Sequence, residues 1–289
     1  MGVEPYQEVG QGVNMDYLTC PNCGRQNPQG ASFCASCGTQ MGTATSEPQV
    51  VPPVQAGQGS TARQQIVAAI QGRTQTDALY PTWWVVLPLL AWAVSFFLGI
   101  IYWPLALVGS ILGLLILAFL AYKLTERINN HIHRELSLRY NLIVYIKEKA
   151  AEQYRQQAIS PQVAAMESIN LEASYKEQEH SALGFAILAL IPIVNLYVLY
   201  VLTKFTGPHD QRWNAFTQNA QYCFQQMGMG VMAPNWRTIP ERSFLIYFLL
   251  TILTFGLFYF YWLWKLIDDP NDHFATQWQF EDSLMMQLR

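Results

Sequence analysis

Cys20, Cys23, Cys34 and Cys37 form a Cys-x-x-Cys…Cys-x-x-Cys array within eighteen residues, with Gly24 and Gly38 directly after each pair. Four thiolates at this spacing can close a tetrahedral shell around one Zn²⁺, and a closed shell leaves no position for a reactive water, so the expected ion is structural. Glycine after each pair lets the chain turn so that backbone amides point at the sulfurs. A redox dithiol would need a thioredoxin-like βαβ context, which the surrounding residues do not supply. Phe33 is the one large apolar residue between the pairs. So small a module cannot build a core, and metal binding is its folding energy. Thiolate ligands also require a reducing compartment, which places the N-terminus in the cytoplasm. Arg25 is the only basic residue near the array, so the charge needed for nucleic acid is missing. No Ser-His-Asp, HExxH, Walker or Rossmann pattern occurs, and no catalytic residue is expected.

A second set of residues recurs. Leu124, Leu202 and Leu266 are each followed seven positions later by a histidine, His131, His209 and His273, and seven further on by Leu138, Phe216 and Phe280. Three copies with one offset indicate a threefold repeat of an apolar anchor followed by an amphipathic helix. The histidines admit two readings, a shared metal or proton site, or polar residues bonded to backbone near lipid headgroups at the start of each interfacial helix; the second is favoured. Asn195 interrupts an apolar block. It would mark a substrate pathway or, the favoured reading, bond a neighbouring helix. Asp268, Asp269 and Asp272 admit a cation site or, the favoured reading, the acidic start of a helix. His133 and His180 read as solvated, and Cys223 as a small buried hydrophobe.

The elements that carry these residues are apolar. Of 289 residues 51 % are hydrophobic and only 13 % are charged, with net charge −3, about half the charge of a soluble domain. The first forty residues hold no apolar core of signal length. Residues 1–15 read as a flexible tail, 16–40 as the zinc ribbon and 41–80 as a disordered tether, with a weak helix at 62–72 that Gly72 ends. Residues 83–122 carry no charge; this is about twice the roughly 20 residues of one membrane span. The break near Gly99–Pro104 gives two antiparallel spans, and Lys123, Arg127 and Arg134 follow on the cytoplasmic side. An amphipathic helix is expected over 124–158, with Ser160-Pro161 stopping it and capping a helix over 161–180. The units are thus 81–158, a cytoplasmic helix over 159–181, and two further repeats, 182–235 and 236–289. Blocks 182–202 and 244–267 leave two topologies open. Each crosses once, or each re-enters by a bend at Pro192–Asn195 and at Thr254–Gly256, since half-helices of about twelve residues reach only about 18 Å.

The segment Ile252-Leu-Thr254-Phe-Gly256-Leu-Phe-Tyr-Phe-Tyr261-Trp262-Leu-Trp-Lys265-Leu266 resembles the Thr-x-Gly-Ile-Tyr-x-x-Tyr-Trp-x-Tyr-Lys stretch of a prokaryotic membrane domain, domain of unknown function 4234. Its continuation, Asn271-Asp272-His273-Phe274, is similar to an Asn-x-His-Phe of archaeal members. The likeness covers about fifty residues well, with Phe258 in place of a Tyr. The array separately resembles archaeal-type zinc ribbons. Neither resemblance implies an activity.

The sequence therefore predicts a mainly α, multi-span helical membrane protein with amphipathic cytoplasmic helices and a small N-terminal zinc ribbon. Its cofactor is one structural Zn²⁺. Its partners are the lipid bilayer and a protein engaged by the ribbon, with homo-oligomers left open and nucleic acid not expected. The expected location is the cell membrane, multi-pass, N-terminus cytoplasmic. The expected role is a non-enzymatic scaffold or adaptor. The competing reading is a transporter or channel component with the ribbon as regulatory head, on the strength of broken apolar segments and Asn195.

Overall fold

The computed structural model describes residues 17–19, 26–28, 61–234 and 238–288, in two units that divide at residues 52 and 53. In the first unit, strands β1 (Tyr17–Thr19) and β2 (Gln26–Pro28) pair antiparallel with Leu18 opposite Asn27. Cys20 and Cys23 belong to the stretch joining them and, like Cys34 and Cys37, lie outside the described residues.

The second unit is helical. Helix α1 (Ala62–Gln71) starts at a capping box in which Thr61 and Gln64 satisfy each other's backbone amides. It buries Ile66 and Ile70 and is followed by the short α2 (Arg73–Thr76). The tether assigned to 41–80 therefore does not extend over 61–80. Two isoleucines at helical spacing and a capped start outweigh the polar composition around them.

After a single 3₁₀ turn (Thr82–Val85), α3 (Val86–Ile101) and α4 (Trp103–Glu152) form an antiparallel hairpin. Tyr102 turns the chain in an extended conformation and Pro104 stands in the first turn of α4. The two helices approach closely where Gly109 faces Ser95; a Cβ there would lie 2.7 Å from Ser95 Cα. Ser95 Oγ also donates to Ala106 O at 2.7 Å. The helical stretch Thr82–Ile101, which joins the 3₁₀ turn to α3, and helix α4 are each long and apolar enough to cross a membrane. The outer face of the hairpin is apolar and open, with Phe97 64 %, Ile101 77 % and Trp103 70 % exposed.

Helix α4 runs unbroken for 50 residues through the boundary expected at 124, and ends eight residues before Ser160. Its stop is a Schellman-type turn. Tyr154 adopts φ 55°, Arg155 N bonds Ala150 O at 2.8 Å, and Tyr154 N bonds Ala151 O at 3.3 Å. The next helix, α5 (Gln156–Lys176), contains Pro161 rather than beginning at it. Tyrosine is an unusual residue for a left-handed stop, which is why a proline nearby draws the boundary in a sequence reading.

The two remaining apolar blocks each fold back on themselves. Helix α6 (Ala182–Ala189) is capped by Ser181, and the chain reverses at Leu190–Ile191 into α7 (Pro192–Gln226), Pro192 taking the first helical position. Phe185 and Tyr197, on opposite arms of that turn, meet at 6.1 Å. Helix α8 (Phe244–Leu253) is capped by Ser243 and reverses through Phe255 (φ 51°) and Gly256 (φ 91°) into α9 (Leu257–Leu288). Tyr247 meets Phe258 and Trp262 across that turn. Neither block forms one continuous span. Asp268, Asp269 and Asp272 lie inside α9 rather than at a helix start; Asp269 pairs with Arg242, and Asp268 with Lys265 at 2.7 Å.

The repeat seen in the sequence is a repeat in space. Leu124, Leu202 and Leu266 share one apolar cluster near the hairpins. Leu138, Phe216 and Phe280 share the other, all completely buried. Between them lie His131, His209 and His273. Three matched layers mean that α4, α7 and α9 run parallel and in register, with their hairpin turns at the same end.

Candidate metal centre

The three histidines meet in the layer between the two cores. Their ring centroids form a near-equilateral triangle of 5.1, 5.2 and 4.7 Å, and each residue is buried to 0 or 1 % exposure. His131 Nε2 lies 3.0 Å from His209 Nε2. Glu135, one turn after His131 on α4, brings Oε2 to 2.9 Å from His131 Nε2, 3.2 Å from His209 Nε2 and 3.9 Å from His273 Nε2.

The opposite edge of every ring faces a carboxylate. His131 Nδ1 is 3.0 Å from Asp77 Oδ1, His209 Nδ1 is 3.0 Å from Glu177 Oε1, and His273 Nδ1 is 2.8 Å from Asp210 Oδ1. A lone pair aimed at a carboxylate is repulsive, so Nδ1 carries the proton in each ring, and in a neutral ring Nε2 is then an acceptor.

The carboxylates are held in turn. Asp77 is gripped by the Arg134 guanidinium through both oxygens and accepts from Trp278 Nε1 at 3.1 Å. Glu177 accepts from Arg139 at 2.7 Å and Arg212 at 2.8 Å. Asp210 accepts from Ile239 N at 2.9 Å. Arg139 also reaches Glu135 Oε1 at 3.1 Å. Phe205 stacks on His209 and Phe274 covers His131.

These surroundings set the ionisation. Burial alone would lower the pKa of His209, but the Glu135 and Glu177 carboxylates outweigh it and hold it up to about 10. His273 moves the same way, burial being overcome by Asp210 and Glu135. Burial would raise Glu135, yet Arg139 and His209 keep it well below the usual carboxylate range. Asp77 and Glu177 are likewise lowered against burial, Asp77 chiefly by His131 and Arg134, Glu177 by His209 and Arg139. Glu281 is different. Burial prevails over Arg134 and pushes it up to about 7.

The expectation for the histidines is thus corrected. They meet one another and carboxylates, not backbone near headgroups. Sequence reasoning found the three rings by their offset but missed Glu135, Asp77, Glu177 and Asp210. Glu135 had a signal, since a residue four after a histidine shares its helix face. Asp77 and Glu177 had none, because Asp77 precedes the first repeat and Glu177 lies between the first and the second. Asn195 donates to Tyr259 Oη at 3.3 Å, a bond between neighbouring helices. His133 is half exposed and lies 3.8 Å from Glu179, and His180 stacks on Phe185. Cys223 is buried in the core away from the hairpins.

Among known families, residues 19–41 match the zinc-ribbon domain. The N-terminal module is a zinc-ribbon domain. Its donor set, four thiols in two Cys-x-x-Cys pairs, suits Zn²⁺, and the ribbon match implies zinc binding. No curated protein and no solved structure matches the chain.

Proposed function

We propose that this chain is a membrane-anchored scaffold that holds a zinc ribbon at the cytoplasmic surface for a protein partner. The observation that carries the anchor is the length of each hairpin measured from the shared leucine layer. From Leu124 back to the turn at Trp103, α4 runs about 32 Å; from Leu202 to Pro192, α7 runs about 15 Å; from Leu266 to Leu257, α9 runs about 14 Å. The hydrocarbon core is about 30 Å thick. The first hairpin has the length to cross it, and the second and third have the length to reach the midplane and return.

The flanking chemistry supports this placement. Tyr122, Tyr200 and Trp264 stand two residues before the leucine layer, with Lys123 and Lys265 beside it, as expected of residues at a membrane boundary. One structural zinc in the ribbon, and recruitment of a partner by it, complete the reading. Asn195 is occupied by Tyr259, which leaves the broken apolar segments as the one ground for the transporter reading.

The test pairs fractionation with partner capture from the cytoplasm, using the full chain and a C20S/C23S/C34S/C37S variant. Both should stay with the membrane pellet through alkaline extraction, and only the intact chain should hold its partners. Release of the intact chain at alkaline pH would remove the anchor. An identical set of captured proteins from both forms would remove the recruiting role.

A further inference from the structure

Four potential ligand atoms converge in the histidine layer: Nε2 of His131, His209 and His273, and Oε2 of Glu135. The four residues can bring one ligand atom each to within 4.8 Å of one another. Each ring is turned by a carboxylate at its Nδ1, the arrangement that orients imidazoles bound to metal. Three imidazole nitrogens and a carboxylate oxygen this close in a dry site are held together by a proton or by a metal ion that displaces it.

We infer that His131, His209, His273 and Glu135 bind one divalent first-row ion of the Zn²⁺ class, which fastens the three repeats together. This is a second metal centre, separate in sequence and in donor chemistry from the cysteine array, and it does not rest on the scaffold reading.

The geometry is close to what such an ion demands. With bonds of about 2.0–2.1 Å, a tetrahedral shell has ligand edges of about 3.4 Å. Three of the edges measured here are 2.9, 3.0 and 3.2 Å, and the fourth, from Glu135 to His273, is 3.9 Å. The two remaining edges, from His273 to the other rings, lie within 4.8 Å, so closing the shell requires His273 to move inward and the other three ligands to spread by up to about 0.5 Å. Three nitrogens and one oxygen favour a borderline ion over Mg²⁺ or Ca²⁺, which prefer all-oxygen shells. Glu135 fills the place that a catalytic site leaves for water, and Phe205 and Phe274 cover the rings. The centre is closed, as structural sites are.

Its position explains its use. Each repeat contributes one histidine from the middle of its long helix. An ion bound to all three fixes the mutual register of α4, α7 and α9, which the apolar layers alone would allow to slide.

The experiment counts metal in the full chain, purified in detergent, loaded with Zn²⁺ and dialysed. Intact protein should hold about two ions per chain and the C20S/C23S/C34S/C37S variant about one. Adding H131Q, H209Q and H273Q to that variant should leave none. Because three changes in a core can unfold it, Glu177→Gln in the four-serine chain is the second arm. Of the four proposed ligands it touches only His209, at the ring's outer edge, and its amide oxygen can still accept from Arg139 or Arg212; the change should weaken Zn²⁺ binding by about 10–100-fold with helical circular dichroism unchanged. Co²⁺ in the four-serine chain should show the weak visible bands of nitrogen and oxygen ligation without thiolate charge transfer. A four-serine chain that is fully helical yet retains no Zn²⁺ would overturn the proposal, leaving protons to satisfy the site. So would Zn²⁺ binding that Glu177→Gln leaves unchanged.

Discussion

His131 and His209 stand 78 residues apart in the chain and face each other Nε2 to Nε2 at 3.0 Å. Arg134 and Arg139 hold the carboxylates, Asp77 and Glu177, that face the outer edges of these two rings. Arg139, completely buried, lies between Glu135 and Glu177.

Replacing Arg139 with methionine, close in volume and uncharged, should leave two buried carboxylates without their shared cation. The expected loss is about 3–5 kcal/mol of stability, measured by denaturation of the detergent-solubilised chain. A loss under about 1 kcal/mol would mean that the carboxylates find water or a proton at little cost.

Tyr154 should be improved by glycine. It holds φ 55° at the end of α4 and is 91 % exposed, so its side chain contributes little packing while its Cβ strains the turn. Tyr154→Gly should raise stability by about 1 kcal/mol. An equal loss would show that the tyrosine ring makes a contact that outweighs the backbone strain.

At Gly109 the two helices of the first hairpin leave no room for a side chain. Gly109→Leu should prise α3 from α4 and make the 82–122 region sensitive to limited proteolysis in detergent, while Gly113→Ala, with a 3.6 Å contact, should not. Equal resistance of both variants would count against this packing.

Topology can be read from two single cysteines, Glu167→Cys on α5 and Gln218→Cys on α7, both exposed. If the second hairpin turns back, both react with a membrane-impermeant maleimide under the same condition, either in intact cells or only after permeabilisation. Labels are assigned by peptide mass so that the native cysteines do not interfere. Opposite behaviour would require 182–203 to cross.

Much of the fold was legible because it is periodic. The Leu–His offset in three copies gave the repeat, and the uncharged stretch from Trp83 to Tyr122 gave the first hairpin. Convergence of the histidines was not legible. It depends on three helices lying parallel, and parallel alignment followed only once Leu190–Ile191 and Phe255–Gly256 were seen to reverse the chain. Asp77 escaped for a different reason. It belongs to a polar stretch whose composition suggests a linker, and it is drawn inside by Arg134, His131 and Trp278. Electrostatic partners far apart in sequence leave no local pattern.

Three like units closed around an axis are the geometry of a cyclic trimer, here drawn in one thread. Fusion makes closure independent of concentration, and it frees the copies to differ. At the position one turn past each histidine stand Glu135, Trp213 and Gln277. Identical subunits would have to put three carboxylates on the axis or none; a single polypeptide can put one there, with a tryptophan and an amide in the other two places.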